Sequence, residues 1–170
     1  MVAVGADFPD ALSASSYAAV NGYPILLTRT DRLPSATEEA LNELGIENTF
    51  VIGGEAAVGS AVYNQLPNPE RISGDDRYQT SIALAEEFLP TGTSHVYMAT
   101  GLDFPDAIAG GVLAAKNNSG VLLVRGTRSE PNTVVKQFLS DRNVRAVTLF
   151  GGGVAITSEM EQWFKGELGN

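Results

Sequence analysis

Two carboxylates three residues apart, one on each side of a proline, stand in GADFPDALSA (residues 5–14) and again in GLDFPDAIAG (residues 101–110). Asp7 with Asp10, and Asp103 with Asp106, are side chains of the kind that serve acid–base catalysis or hold a divalent cation. Acid–base work needs a partner base, nucleophile or metal, and none recurs beside either pair. Two carboxylates alone make a poor cage for a cation. The same spacing also starts a helix. The first Asp caps free N–H groups, Pro9 or Pro105 fits the first turn, and the second Asp faces the positive end of the dipole. That reading needs nothing beyond backbone physics, and it is the expected one.

Glycine pairs form a second recurring feature, Gly53-Gly54 and Gly151-Gly152, each after a short apolar run. Backbone N–H groups of such a loop can cradle a phosphate. Neither the Lys-Ser/Thr of a P-loop nor a complete GxGxxG accompanies them, so tight turns and close helix–sheet approach are expected instead. Arginine placement is more informative. LLTRTDR sets Arg29 and Arg32, and LLVRGTR sets Arg125 and Arg128, just beyond an apolar strand-like run, with Thr28 ending the first run. Open parallel sheets bind ligands outside the carboxyl ends of their strands, so these four arginines and Thr28 are candidates for an anionic ligand; solvated loop charges are the competing reading. Arg71, Arg77 and Tyr78 flank a Ser-Gly-Asp-Asp turn and are further candidates. For Arg77 the alternative is a clamp between repeats, paired with a nearby carboxylate. His95 has no second His or Cys and is expected to be structural, while Ser13, Ser15 and Ser16 lack the elbow and partners of a hydrolase nucleophile.

Composition removes several function classes. The chain has 20 acidic against 11 basic residues, a net charge of −9, which disfavours a nucleic-acid partner. With no Cys there is no thiolate chemistry, Cys-ligated zinc or disulfide. No apolar run approaches the roughly 18 residues of a membrane span, and the acidic start does not resemble a signal peptide. The opening VAVG reads as the interior of a strand, so the chain is expected to be an excised fragment of a longer protein.

The elements that must carry these residues are themselves repeated. An offset of 96 residues relates Asp7 to Asp103, Pro9 to Pro105 and PILLT to GVLLV, and an offset of 98 relates FVIGGEAAV to TLFGGGVAI. The second copy predicts strands over 95–100, 121–124 and 146–150 and helices over 103–118, 130–141 and 156–168. The first copy predicts strands ending near residue 4 and over 25–28 and 49–52, with helices over 7–20, 35–44 and 56–66. Short apolar strands alternating with helices predict an α/β fold of parallel βαβ repeat modules in three α/β/α layers. The division expected is a first repeat over 1–66, truncated at its N-terminus, a linker over 67–75, and a complete second repeat over 76–170 whose signature begins at residue 71.

RISGDDRYQTSIALAEEF (residues 71–88) and ATGLDFPDAIAGGVLAAK (residues 99–116), with the Leu-Leu strands and Gly-Gly loops, resemble the type 2 cell-wall-binding repeat of Gram-positive surface proteins and autolysins. The resemblance spans essentially the whole chain. It implies a Toprim-like α/β fold and no enzymatic activity, with any catalytic domain fused outside. The implied role is an extracellular, noncovalent anchor at the wall or cell surface, binding anionic secondary polymers such as teichoic-acid-like chains or polysaccharides. It also implies neighbouring repeats in a tandem, pseudo-threefold assembly, no nucleic-acid or membrane partner, and no cofactor, although divalent cations could bridge carboxylates to polymer phosphates. The family's Ile-Leu-Leu stretch falls on Ile25, Leu26 and Leu27 and on Val121, Leu122 and Leu123, side chains expected in the core. Thr28 has no hydroxyl equivalent at Val124, and the four loop arginines are outside the family signature. The alternatives are a phosphate-handling α/β enzyme with a divalent metal at its strand ends, and a purely structural spacer.

Overall fold

The computed structural model describes residues 1–7, 9–103 and 105–168; Phe8 and Phe104, the aromatic of each DFPD run, lie outside the described residues. The first copy supplies β1 (Val2–Val4), α1 (Pro9–Asn21), β2 (Leu26–Thr28), α2 (Ser35–Glu43), β3 (Thr49–Ile52) and α3 (Ser60–Tyr63). Then come β4 (Pro69–Ile72) and α4 (Arg77–Phe88), followed by β5 (His95–Thr100), α5 (Pro105–Lys116), β6 (Val121–Val124), α6 (Thr133–Asp141), β7 (Ala146–Phe150) and α7 (Ser158–Leu168). Two sheets result, in the orders β2-β1-β3-β4 and β6-β5-β7, and every pairing is parallel. The repeated strand–helix grammar therefore gives the expected α/β architecture, with the central strand of each copy (β1, β5) leading into the DFPD helix.

Strand alternation assigns the faces. In the first sheet Val2, Val4 and Val51 meet Leu41 of α2 and Val58 and Val62 around α3, while Ala3 and Ile52 meet Ala14 and Tyr17 of α1. In the second, Met98, Leu122 and Val124 join Val135 and Phe138 of α6 and Met160 and Phe164 of α7. Its other face sets Tyr97, Ala99 and Val121 against Ala107 and Ala114 of α5 and Leu12 of α1. One continuous apolar cluster therefore crosses from copy to copy, with α1 packed on both α5 and α4. No helix among the described residues is long and apolar enough to cross a membrane.

Two expectations change. The stretch 67–75, read as a linker from its prolines, carries β4, which pairs in parallel with β3 through Thr49↔Pro69 to Ile52↔Ile72. An edge strand can open on proline because its outward side needs no donor. Helix 56–66 contracts to α3, because the Gly59 N–H is given to the Thr30 carbonyl (2.9 Å) and residues 54–58 turn on the Gly54 carbonyl. The β4 strand belongs by pairing to the first sheet, while α4, a few residues later, packs on β6. The RISGDDRY run thus ties the two copies together.

Candidate functional site

The second acid of each DFPD run, Asp10 and Asp106, is half-buried, while Asp7 and Asp103 are exposed. The Gly53 backbone has φ +101°, and a Cβ there would run into the Asp10 carboxylate. Gly151, at φ +134°, would bring a Cβ to 3.0 Å from Asp106 Oδ2. The second acid of each motif is thus seated over the first glycine of the same copy's Gly-Gly turn, and the glycine has to be there. Burial pushes the Asp10 carboxyl up from its ordinary value, Asp7 adds to the rise, and Arg77 opposes it. Asp7 and Asp103 stand ahead of their helices; Asp7 pairs with Arg77 at 3.4 Å.

The candidate ligand residues divide into two groups. Arg71 donates to the Gly53 carbonyl (2.6 Å) and the Val58 carbonyl (2.9 Å), and its guanidinium lies 4.8 Å from the centre of the Tyr63 ring. Arg77 donates to the Gly101 carbonyl at 2.7 Å as well as reaching Asp7, so it joins the end of β5 to the start of the first copy's DFPD helix. Both arginines hold the chain to itself. Tyr78 and Thr28 are buried, and the Thr28 hydroxyl donates to the carbonyls of Arg29 (3.1 Å) and Arg32 (3.2 Å). Buried side chains do not reach a polymer, so Thr28 and Tyr78 leave the candidate set; Thr28 instead shapes the loop that presents the arginines.

Arg29, Arg32, Arg125 and Arg128 are exposed beyond the ends of β2 and β6. In each copy the loop closes on itself, by Arg29 N–H to the Arg32 carbonyl (3.3 Å) and by Arg128 N–H to the Arg125 carbonyl (2.9 Å). The second copy has Ser129 and Glu130 before Pro131 where the first has Leu33 alone before Pro34, and here a cavity of about 450 Å³ opens, lined by Asp76, Arg125, Arg128, Ser129, Glu130, Pro131, Asn132 and Thr133. It lies at the N-terminus of α6. Asn132 occupies the cap position without a side-chain cap bond, and its Oδ1 is buried with no partner. Two lining acids are engaged: Asp76 caps α4 through Gln79 N–H (2.9 Å), and Glu130 pairs with Lys136 at 2.8 Å. Arg125 also lies 5.3 Å from the centre of the Tyr78 ring, which fixes one of the two cations in place.

The Leu-Leu strands differ between copies. Val121, Leu122 and Leu123 are buried as expected, but Leu27 is 51% exposed. The reason is visible in β6, whose outward Val121 and Leu123 N–H groups donate to Ser16 of α1 (3.2 Å) and Ser81 of α4 (3.0 Å). Helices cover that edge strand; among the described residues none is placed the same way on β2. Sequence reading set Ser16 aside as a poor nucleophile and missed this role, which only the pairing of two distant elements reveals. Among the described residues no group of three His, Cys, Asp or Glu side chains is placed to hold a metal ion.

Fold and site together define a duplicated parallel α/β repeat whose arginines Arg71 and Arg77 hold the chain to itself and whose loop arginines are exposed. Residues 1–63 and 71–161 match the family model described as cell wall binding domain 2, and the chain belongs to that family. It is 35% identical over 158 residues, 93% of this chain and 31% of the relative, to N-acetylmuramoyl-L-alanine amidase LytC of Bacillus subtilis. It is 30% identical to the amidase enhancer of the same organism, over 95% of this chain and 22% of the relative. The solved structure of Cwp6 from Clostridium difficile superposes with a TM-score of 0.85 at 22% identity, covering 98% of this chain and 27% of that one. Cwp8 from the same organism gives 0.79 at 24%, covering 96% and 28%. The chain thus spans under a third of the length of these relatives, and its family is one of binding modules located at the cell wall.

Proposed function

We propose that this pair of repeats anchors a surface protein or autolysin outside the cell by noncovalent binding of anionic secondary wall polymers. The observation that carries the reading is the cavity at the α6 N-terminus. Arg125 and Arg128 supply two guanidinium groups suited to bidentate contact with phosphate or carboxylate, and α6 adds the positive end of its dipole at the same cavity. The orphaned Asn132 Oδ1 asks for a donor, which a sugar or polyol hydroxyl beside the acidic group would provide. Arg29 and Arg32 offer a second contact on the first copy, so a repeating polymer could be held at two points. The working division is two modules, 1–66 and 76–170, joined by 67–75.

Neighbouring repeats complete the proposal. Leu12, Ser16 and Tyr17 of α1 are the surface that docks on the second copy, and the offset of 96 carries them to Ile108, Val112 and Leu113 of α5. Those three are exposed. The surface they would meet, Gly120 to Leu123, corresponds to 24–27, where Leu27 is exposed. A third repeat would satisfy both faces at once, as a pseudo-threefold assembly requires.

The deciding experiment is retention on purified Gram-positive walls before and after secondary polymers are stripped. Retention is expected to vanish on stripping, to fall with Arg125→Ala/Arg128→Ala, and to withstand a chelator. Retention on stripped walls would sink the polymer reading, and loss with chelator alone would transfer the binding to bridging cations.

A further inference from the structure

The two sheets are unequal in a way the repeat itself explains. In the first, β3 carries β4 on its outer side; in the second, β7 is an edge strand among the described residues, and all five of its residues are half-buried. The turn and carbonyls that receive β4 have counterparts beside β7. The turn after β3 closes by Ala57 and Val58 N–H groups on the Gly54 carbonyl (both 3.0 Å). The turn after β7 closes by Ala155 and Ile156 on the Gly152 carbonyl (both 2.9 Å). The Gly53 and Val58 carbonyls that accept from Arg71 correspond to those of Gly151 and Ile156. A cavity of about 440 Å³ lies there, lined by Val147, Leu149, Gly151, Ile156, Glu161 and Phe164, among others.

We propose that the outer edge of β7 docks a parallel strand of the Pro-Glu-Arg-Ile kind, the strand that opens another repeat. The register follows from β3 and β4: Pro, Glu, Arg and Ile lie opposite Val147, Thr148, Leu149 and Phe150. The arginine enters the cavity and donates to the Gly151 and Ile156 carbonyls. At the position of Tyr63, whose ring underlies Arg71, the second copy has Glu161, an exposed carboxylate that pairs with Lys165 one turn on. Both line the cavity, and the incoming guanidinium takes Glu161 over from Lys165 as an ion pair in place of the ring contact. Thr49 and Gly53 donate outward to β4, to the Asn68 carbonyl (3.4 Å) and the Ile72 carbonyl (2.9 Å). By the same alternation Val147, Leu149 and Gly151 are the donors that the new strand receives. This surface is separate from the α5 and β2 faces and from the arginine cavity, so its test needs neither wall material nor a third repeat.

The test appends a second copy of residues 67–75 behind residue 170 through a flexible linker and follows amide hydrogen exchange. Protection at Val147, Leu149 and Gly151 is expected to rise about tenfold or more, with the melting temperature rising in step. The Arg71→Ala form of the appended segment, or Glu161→Gln in the chain, is expected to lose most of that gain. Unchanged exchange at the three amides would overturn the proposal. So would equal protection from the Arg71→Ala form, or sedimentation showing that the chain without the appended segment pairs two copies of itself through β7. None of these results would bear on polymer retention.

Discussion

A carboxylate that starts a helix must also tolerate what the fold packs beside it, and Asp10 sits over the Gly53 turn with Asp7 nearby. Burial first, then Asp7, raise its pKa above the ordinary 3.8, with Arg77 pulling the other way. The native state then keeps this proton to higher pH than the unfolded chain, so Asp10's contribution to stability falls as pH rises through that window. Asp10→Asn should raise the melting temperature at neutral pH, and the gain should disappear below about pH 3.8; melts across the acid range check both. A gain of equal size at every pH would show that the charge is not the cause. Gly53→Ala forces a Cβ into the same carboxylate at positive φ and should destabilise by about 2 kcal/mol or more in urea unfolding. Arg71→Ala removes two charge-assisted bonds to carbonyls and should cost about 3 kcal/mol, with Arg71→Lys restoring little because an ammonium cannot fork between them. The sequence showed these residues as a recurring set and pointed to the acids as helix starters, and in the fold Asp10 stands in the first turn of α1 while Asp7, ahead of it, pairs with Arg77. It did not show that each second acid is matched to a glycine some forty residues later, because that pairing exists only once strand and turn are in place.

Helices and strands were legible because period and punctuation agreed: apolar runs of four to six, then Ala-rich helices closed by Asn or Gly. The elements that escaped were those whose conformation is settled by a partner. β4 looked like a proline-rich connector because its ladder lies entirely on β3, and the start of α3 was lost to Gly59 bonding a loop of the same copy. The docking of α1 shows the same dependence. Tyr17 is buried against Gly120, where any Cβ would overlap the ring, and its hydroxyl has no partner. Burial pushes that phenol far above its ordinary value, so it stays neutral throughout the working range. Gly120→Ala should therefore wedge the first copy away from β6. We expect a loss of about 3 kcal/mol, and faster exchange at Val121, whose N–H bonds Ser16, than at Val96 in the adjacent strand. Tyr17→Phe should be neutral or slightly stabilising, which separates overlap with the ring from any need for the hydroxyl.

A net charge of −9 makes the whole molecule a poor match for an anionic polymer unless binding is local, and the loop arginines are where it can be local. Contacts of that kind are screened over about 10 Å at 0.1 M salt, so retention on walls should fall steeply as salt is raised. The apolar faces obey a different rule, because salt does not screen them. Ile108 and Val112 are 51% and 60% exposed in this pair of repeats, although their counterparts Leu12 and Ser16 are packed in the junction between copies. If a third repeat covers them, their chemistry matters only when it is present. Ile108→Lys/Val112→Lys should leave the unfolding free energy of this chain within about 0.5 kcal/mol of the parent, as exposed substitutions do. In a chain extended by one more repeat, the same pair should abolish the compact three-repeat particle in small-angle scattering and reduce wall retention through lost avidity. A large loss of stability already in the two-repeat chain would place these side chains in the existing core. An unaltered three-repeat particle would remove α5 from the assembly surface and leave Leu27 and the edge of β2 to account for it alone.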